Sequence, residues 1–368
     1  MKPAEGRRRQ DLRSRRGFTA IELLVVTAII ALIVGLALPA IMNARASARQ
    51  LTCQNNLRNI ALAVHMQAEN LQRFPAAGLY SATGPEQFHS WVTEILPLID
   101  QEPLYRKYDF NQTWDSAGNK VVVSTSLPIL ICPDDISQRP GVGNLSYAVN
   151  CGFGWTVPLD CPSTLHATGP TTATIAPMDF NGNGVVCPAD PASDGNPSDT
   201  KLMEALGVFF VENWPPGTGT SRHHRLGVLD DGETQTIMLG ENLRAGYDPV
   251  TGSGWGSPDI RYVGFLASGY VCENGRCDTG NVDYTRTNQR NTAPYNTEAL
   301  NASLNQPEGL SPWPSSLHPG KIYFAFCDGR AQSLSEMIDG RVYAALLSPH
   351  GSTIKGPMAQ QLLSAGDY

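Results

Sequence analysis

Catalytic signatures are missing from this chain. It has no G-x-S-x-G, no H-E-x-x-H and no phosphate-binding loop, so no nucleophile–base pair, metalloprotease helix or nucleotide cradle can be assigned. On those absences the chain reads as non-enzymatic. Charge is sparse as well. Charged residues make up 17% of the composition, with 27 Lys and Arg against 34 Asp and Glu, and the net charge of −7 argues against nucleic acid as a partner. No internal repeat is visible, which sets solenoids and propellers aside. Glycine (35) and proline (27) are abundant, as in a loop-rich domain. A length of 368 residues implies one large domain or two modest ones.

One stretch lacks charge altogether. From Leu23 to Leu38 the only polar side chain is Thr27. Counted outward to Phe18 and Met42, the apolar segment has 25 residues and a single acid, Glu22. As a helix it reaches about 37 Å, enough for a hydrocarbon core of ~30 Å. Residues 1–17 precede it as a basic leader. Seven bases there (Lys2, Arg7, Arg8, Arg9, Arg13, Arg15 and Arg16) face two acids, Glu5 and Asp11, a balance of +5 that leaves residues 18–368 at −12. That excess holds the N-terminus in the cytoplasm and sends the remainder across the membrane. Glu22 is expensive at the edge of such a helix and asks for a partner.

Gly17-Phe18-Thr19-x-x-Glu22 ahead of a long apolar run resembles the processing site of type IV prepilins and type II secretion pseudopilins. The resemblance implies that a prepilin peptidase cuts after Gly17 and methylates Phe18. It also implies that Glu22 pairs with the Phe18 amine of a neighbouring subunit during assembly. Pro39 stands 21 residues after Phe18, the spacing of the helix-bending proline in many type IV pilins. Two plainer alternatives are an uncleaved anchor and a secretory signal peptide with Ala46-Ser47-Ala48 as its cleavage site.

Past Pro39 the periodicity continues. Leu57, Ile60, Ala61, Val64, Ala68 and Leu71 keep i, i+3, i+4, i+7 spacing, predicting one helix from Phe18 to about Leu71, membrane-embedded over 18–42 and amphipathic over 43–72. Phe74-Pro75 ends it. Residues 73–368 form the extracytoplasmic part. Short helices are expected at 90–97, 103–108 and 120–126, and a buried strand at Ile129–Ile131. Strands follow at Ser146–Asn150, Gly207–Val211, Thr236–Gly240, Arg261–Leu266, Lys321–Cys327 and Ala331–Leu334. The expected class is α+β and pilin-like: a long N-terminal helix packed on a mostly antiparallel, loop-rich sheet domain.

Five further pieces occur in order: His89-Ser90-Trp91…Ile95-Leu96-Pro97, Ile131-Cys132-Pro133-Asp134, Ser146-Tyr147, Asp231-Gly232-Glu233-Thr234…Leu239-Gly240-Glu241, and His318-Pro319-Gly320…Asp328-Gly329. Together they resemble a bacterial family of unknown function that joins a prepilin-type N-terminus to a C-terminal H-x9-DG motif. Nine residues separate His318 from Asp328, as that motif requires. The resemblance supplies no activity. From the residues themselves, Asp328-Gly329 is a hairpin turn between two strands, and His318 packs or caps the incoming loop. Cys327 beside Asp328 departs from the pattern and is a candidate for a disulfide.

The chain has eight cysteines. On the oxidising side of a membrane an even number favours disulfides over zinc, for which no histidine or C-x-x-C spacing matches. Cys272 and Cys277 flank Asn274-Gly275, a type I′ turn signal that brings them opposite each other. Cys53, Cys132, Cys151, Cys161, Cys187 and Cys327 can pair in fifteen ways. Asp179, Asn181, Asn183, Val185 and Asp190 fall at positions 1, 3, 5, 7 and 12 of a loop with Gly184 at position 6, the spacing of calcium loops. Two neutral Asn ligands, Asp in place of a final Glu, and Pro188 weaken that match, so a Gly/Asn-rich surface turn stays open. His223 and His224 read as exposed. Asp230-Asp231-Gly232-Glu233 reads as a turn that could lend carboxylates to a cation.

The function expected is therefore a pilin-like subunit of the inner membrane, processed by a prepilin peptidase and assembled with copies of itself or related subunits. The alternative is a membrane-tethered binding module for a glycan, solute or surface protein, with Trp155, Trp214, Trp255 and Trp313 as stacking platforms.

Overall fold

In a computed structural model of the chain, the structure describes residues 18–153, 163–169, 172–177, 180–181, 197–213, 221–243, 245, 254–267, 272–273, 276–277, 287–288, 299–302, 304, 313–356, 358–364, 366 and 368. Helix α1 runs Ala20–Leu71 with Pro39 inside it. After it come β1 (Gly78–Tyr80), β2 (Gln87–Ser90), α2 (Trp91–Ile95), α3 (Glu102–Tyr105), α4 (Ala117–Val123) and β3 (Tyr147–Phe153). The middle of the chain gives β4 (Ser163–Gly169), β5 (Thr172–Pro177), α5 (Asp199–Leu206), β6 (Val211–Glu212), β7 (Ile237–Glu241), α6 (Ile260–Val263) and β8 (Gly264–Ala267). The last elements are β9 (Cys272–Glu273), β10 (Arg276–Cys277), β11 (Lys321–Phe326), β12 (Ala331–Ser335) and α7 (Gly340–Leu347). The class is α+β.

The chain divides into two compact units, residues 1–48 and 49–368. Within the first, the described residues are helical from Ala20 and almost wholly exposed. Ile21, Leu24, Leu32 and Leu36 each show more than 60% of their surface. The helix is long and apolar enough to cross a membrane, and none of its most apolar 18-residue window is buried. Its first turn is closed by a capping box. The Thr19 backbone N–H and hydroxyl donate to Glu22 Oε2, both at 2.9 Å, and the Glu22 N–H donates back to Thr19 Oγ1 at 3.3 Å.

The second unit is built on a five-stranded sheet in the order β12-β11-β7-β3-β8, antiparallel except for the β3–β8 pair. Every residue of β3 and β7 is buried, which requires cover on both faces. On one face lies the α1 segment from Arg49 onward, burying Cys53, Leu57, Ile60, Ala61, Val64 and Ala68. Tyr147 of β3 donates its hydroxyl to the Cys53 carbonyl (3.3 Å), and Gln54 donates to the Ala331 carbonyl of β12 (2.8 Å). On the other face Asn150 of β3 donates to the Leu347 carbonyl at the end of α7 (2.7 Å). A smaller sheet, β2-β1-β6, lies beyond. It is tied to the end of α1 by the Arg73–Glu212 ion pair.

The differences from the sequence expectations have local causes. Ile129–Ile131 is not a strand: Pro128 opens a 3₁₀ turn over Pro128–Leu130, because proline has no N–H to give a ladder. Arg261–Leu266 divides into α6 and β8, with Asp259 accepting from the Arg261 N–H to start the helix turn. Of Gly207–Val211 only Val211 is in a strand, and α5 and α7 were not anticipated. Trp255 and Trp313 are core residues, with Trp255 Nε1 donating to the Thr125 carbonyl, so neither is an exposed stacking platform. Trp155 and Trp214 lie outside the described residues.

Leu57 has no exposed surface and Leu51 keeps more than half of its own. Leu57→Ala is expected to cost about 2–5 kcal/mol in chemical unfolding of the detergent-solubilised chain. Leu51→Ala should stay within about 0.5 kcal/mol. Equal losses would mean that the helix does not use this face to cover the sheet.

Candidate functional site

His318 sits in the turn that feeds β11, where its N–H donates to Ser316 Oγ at 3.1 Å. Its imidazole is buried, edge-on to the Tyr323 ring at 5.2 Å. Three other parts of the chain converge on it. Glu241, the last residue of β7, places Oε1 3.1 Å from His318 Nε2, while its Oε2 accepts the Tyr323 backbone N–H at 2.9 Å. Asp134 brings Oδ2 to 3.3 Å from His318 Nδ1 and pairs through Oδ1 with Arg49 of α1. Cys132 Sγ is 3.5 Å from His318 Nε2 and is joined to Cys53 of α1 in a disulfide.

The result is a polar chain that runs from a half-exposed arginine to a fully buried carboxylate. Each buried polar side chain of this chain faces another polar group, the condition under which such groups are tolerated in an interior. The neighbouring Asp135 accepts from the Ser146 hydroxyl (2.7 Å) and fixes the start of β3. The arrangement offers no open nucleophile. It fastens α1 twice to the loop ahead of β3, once covalently and once ionically, and that loop meets the sheet through His318 and Glu241.

The other end of the H-x9-DG motif meets the same helix. Gly329 takes φ +82° in the turn between β11 and β12, and a Cβ there would lie 3.0 Å from Leu62 Cδ2 on α1. Asp328 Oδ1 accepts the Arg330 N–H (3.0 Å), a turn role as expected. The Cys327 carbonyl lies 3.2 Å from His65 Nδ1 on α1. Cys327 itself is free and buried, as is Cys151, so the expected disulfide at Cys327 is corrected. Burial raises the pKa of both thiols, which keeps them protonated and unreactive.

The remaining predicted residues that the structure describes make other contacts. Asp179, Asn183, Val185 and Asp190 of the calcium loop, and Gly17, lie outside the described residues. Asn181 is buried, its backbone N–H and that of Phe180 both donating to Asp199 Oδ1. Cys272 and Cys277 stand opposite each other in the β9–β10 pair. Asp231 is spent within the chain, accepting the Ser352 N–H and hydroxyl, and Glu233 accepts the Gly227 N–H (2.9 Å). His223 is exposed, but His224 is not. Its Nε2 bonds the Glu204 carbonyl (2.8 Å), and its Nδ1 faces His350 Nε2 at 3.4 Å, with Asp230 behind at 2.7 Å. A partner 126 residues away carries no local signal.

With that geometry in hand, the sequence comparison is decisive for family. Residues 42–341 match the family described as Protein of unknown function (DUF1559). The chain is a DUF1559 protein. No curated protein and no solved structure is detectably similar to it. The matched span takes in Arg49, Cys53, Cys132, Asp134, Glu241, His318 and Asp328-Gly329, and stops short of the apolar half of α1. In this DUF1559 protein Cys132-Pro133-Asp134, Tyr147, Glu241 and the H-x9-DG motif are thus parts of one joint around α1. The His-Ser-Trp piece is structural too: Ser90 Oγ caps α2, and Trp91 Nε1 donates to the Val263 carbonyl (2.9 Å).

Two outcomes are expected. Glu241→Ala removes the His318 contact and the acceptor for Tyr323 N–H together, and should cost about 3–5 kcal/mol in denaturant unfolding with the disulfide intact. Glu241→Gln keeps the amide acceptor and should cost less. The second concerns pH. Burial pushes the His224 pKa down to about 4, so between pH 6.5 and 4 the unfolded chain binds the extra proton and stability falls as pH falls. His89, also lowered by burial to about 4, acts in the same direction. Glu94, 3.7 Å from His89 and raised by burial to about 7, opposes them from pH 4.5 to 7. His224→Gln should flatten the decline in melting temperature between pH 6.5 and 4; an unchanged slope would remove His224 from the account.

Proposed function

We propose that this DUF1559 protein is a pilin-like subunit. In this reading it is held in the inner membrane by residues 18–42, processed after Gly17 by a prepilin peptidase, and packed through α1 against copies of itself or related subunits. Residues 73–368 would then be extracytoplasmic, and the role non-enzymatic. The observation that carries the proposal is the apolar half of α1, whose Leu and Ile side chains are exposed among the described residues. Such a surface needs lipid or other helices. The Cys53–Cys132 disulfide supports an oxidising compartment for the second unit. Calcium held by Asp179, Asn181, Asn183, Val185 and Asp190 would be accessory to this role.

The capping box sharpens what Glu22 has to do. Glutamine serves a capping box as well as glutamate, so the cap alone does not demand a charge. An assembly contact with a protonated Phe18 amine does. Intact-mass analysis of protein from native membranes should find an N-terminal Phe18, methylated. Retention of Met1, or cleavage after Ala48, would defeat the proposal. Glu22→Gln should leave processing unchanged and abolish incorporation into filaments; normal incorporation would reduce Glu22 to a helix cap.

A further inference from the structure

The joint around His318 has a second chemistry available to it. Cys53 Sγ, Cys132 Sγ, a Glu241 oxygen and a His318 nitrogen all lie within 4.8 Å of one another, and all four residues are buried. With the disulfide open they are two thiols, an imidazole and a carboxylate, a donor set of Zn²⁺ type. We propose that these four side chains form a closed transition-metal site whenever Cys53 and Cys132 are reduced. Disulfide and metal are then alternative fastenings of the same helix at the same joint. This inference is independent of the pilin-like role.

Two features distinguish the cluster from an ordinary buried ion pair. First, each non-sulfur ligand turns one atom toward the cluster and its other atom toward a group behind it. His318 turns Nε2 to Cys132 Sγ (3.5 Å) and Nδ1 to Asp134 Oδ2 (3.3 Å), the carboxylate–histidine arrangement that fixes the tautomer of a metal-bound imidazole. Glu241 turns Oε1 inward while Tyr323 N–H holds Oε2. Second, His318 Nδ1 is buried without an aligned hydrogen bond, although Asp134 lies within ion-pair range. A metal on Nε2 would leave Nδ1 as the N–H donor to that carboxylate. Metal–ligand bonds of about 2.0–2.3 Å set tetrahedral donor separations of roughly 3.3–3.8 Å. The widest pair therefore closes by about 1 Å while the two sulfurs move apart.

The chemistry balances with a dithiol as reductant. The disulfide accepts two electrons and two protons from the dithiol, which leaves as its own disulfide. The divalent ion then displaces the two thiol protons and takes two thiolates, the Nε2 lone pair and one carboxylate oxygen. Re-oxidation by a small-molecule disulfide, which takes the two electrons and leaves as two thiols with two protons from water, withdraws both thiolates and releases the ion.

The test uses the full chain in detergent, reduced with a water-soluble phosphine and titrated with Co²⁺ alone, then with Zn²⁺. One equivalent of Co²⁺ should give the visible bands of a tetrahedral site and thiolate-to-cobalt charge transfer, both bleached by Zn²⁺. The unreduced chain should give neither. Cys53→Ser should abolish the bands, Cys272→Ser and Cys327→Ser should retain them, and Asp134→Asn should weaken Co²⁺ binding about 10- to 100-fold. X-ray absorption on the wild-type zinc form needs no variant: it should show two sulfurs and two light atoms, one of them imidazole. Bands that survive Cys53→Ser, a shell without imidazole, or a reduced wild-type chain that takes up no metal would overturn the proposal.

Discussion

The second unit of this protein depends on how one imidazole is placed. His318 lies between the Glu241 and Asp134 carboxylates, and through them it connects the end of β7, the turn after Pro128, and α1. None of these segments is near another in sequence. Remove the imidazole and two carboxylates face a buried disulfide with nothing between them. A buried pair of this kind adds little net stability over a well-packed apolar substitute, since desolvation offsets most of the Coulomb gain. What it supplies is intolerance of misplacement. A helix slid by one turn would strand Arg49 and leave Asp134 without its outer partner.

Apolar burial supplies the bulk of the favourable energy, and the H-x9-DG motif fixes its position. Strand β11 carries a marker at each end. The His318 end meets α1 at Arg49 and Cys53, and the Asp-Gly turn meets it at Leu62 and His65. Cys53 and Leu62 are nine residues apart, about 13 Å along a helix axis. Strand β11 itself covers a comparable length, so the motif spacing matches one strand laid along two and a half turns of helix. On that view its histidine, aspartate and glycine are fastening points at fixed separation, and no acid–base role is needed to explain them.

Much of this was legible in the sequence where the signal is periodic or local. Leu57, Ile60, Ala61, Val64 and Ala68 declared a covered helix face, and Asp328-Gly329 declared its hairpin, because helix period and turn chemistry are properties of a few adjacent residues. Arg261–Leu266, read as a strand, is helical over its first half for a physical reason: a short apolar run fits a buried strand and a helical turn equally. The 3₁₀ turn at Pro128–Leu130 shows proline overriding that same apolar signal. Helix α7 had its own start signal in Asp339, whose side chain accepts the Arg341 N–H. The His318 network could be listed in pieces but not assembled, since its members span residues 49 to 318. The same holds for His224 and His350.

The two halves of α1 are then under opposite demands. From Arg49 onward each buried position has a cover supplied by the chain, and the helix is fixed by a disulfide, an ion pair and a glycine contact. Before that, apolar side chains are left without any. A capping box at Thr19 and Glu22 closes the first turn, so the exposed half is a formed helix and not a frayed end awaiting order. That matters for the proposed packing of this half. A preformed helix has no further backbone ordering to undergo when it meets lipid or a neighbouring helix, so the remaining cost is that of side-chain and rigid-body freedom. The second half cannot adjust its packing to help, because its joint to the sheet is pinned at both ends of β11.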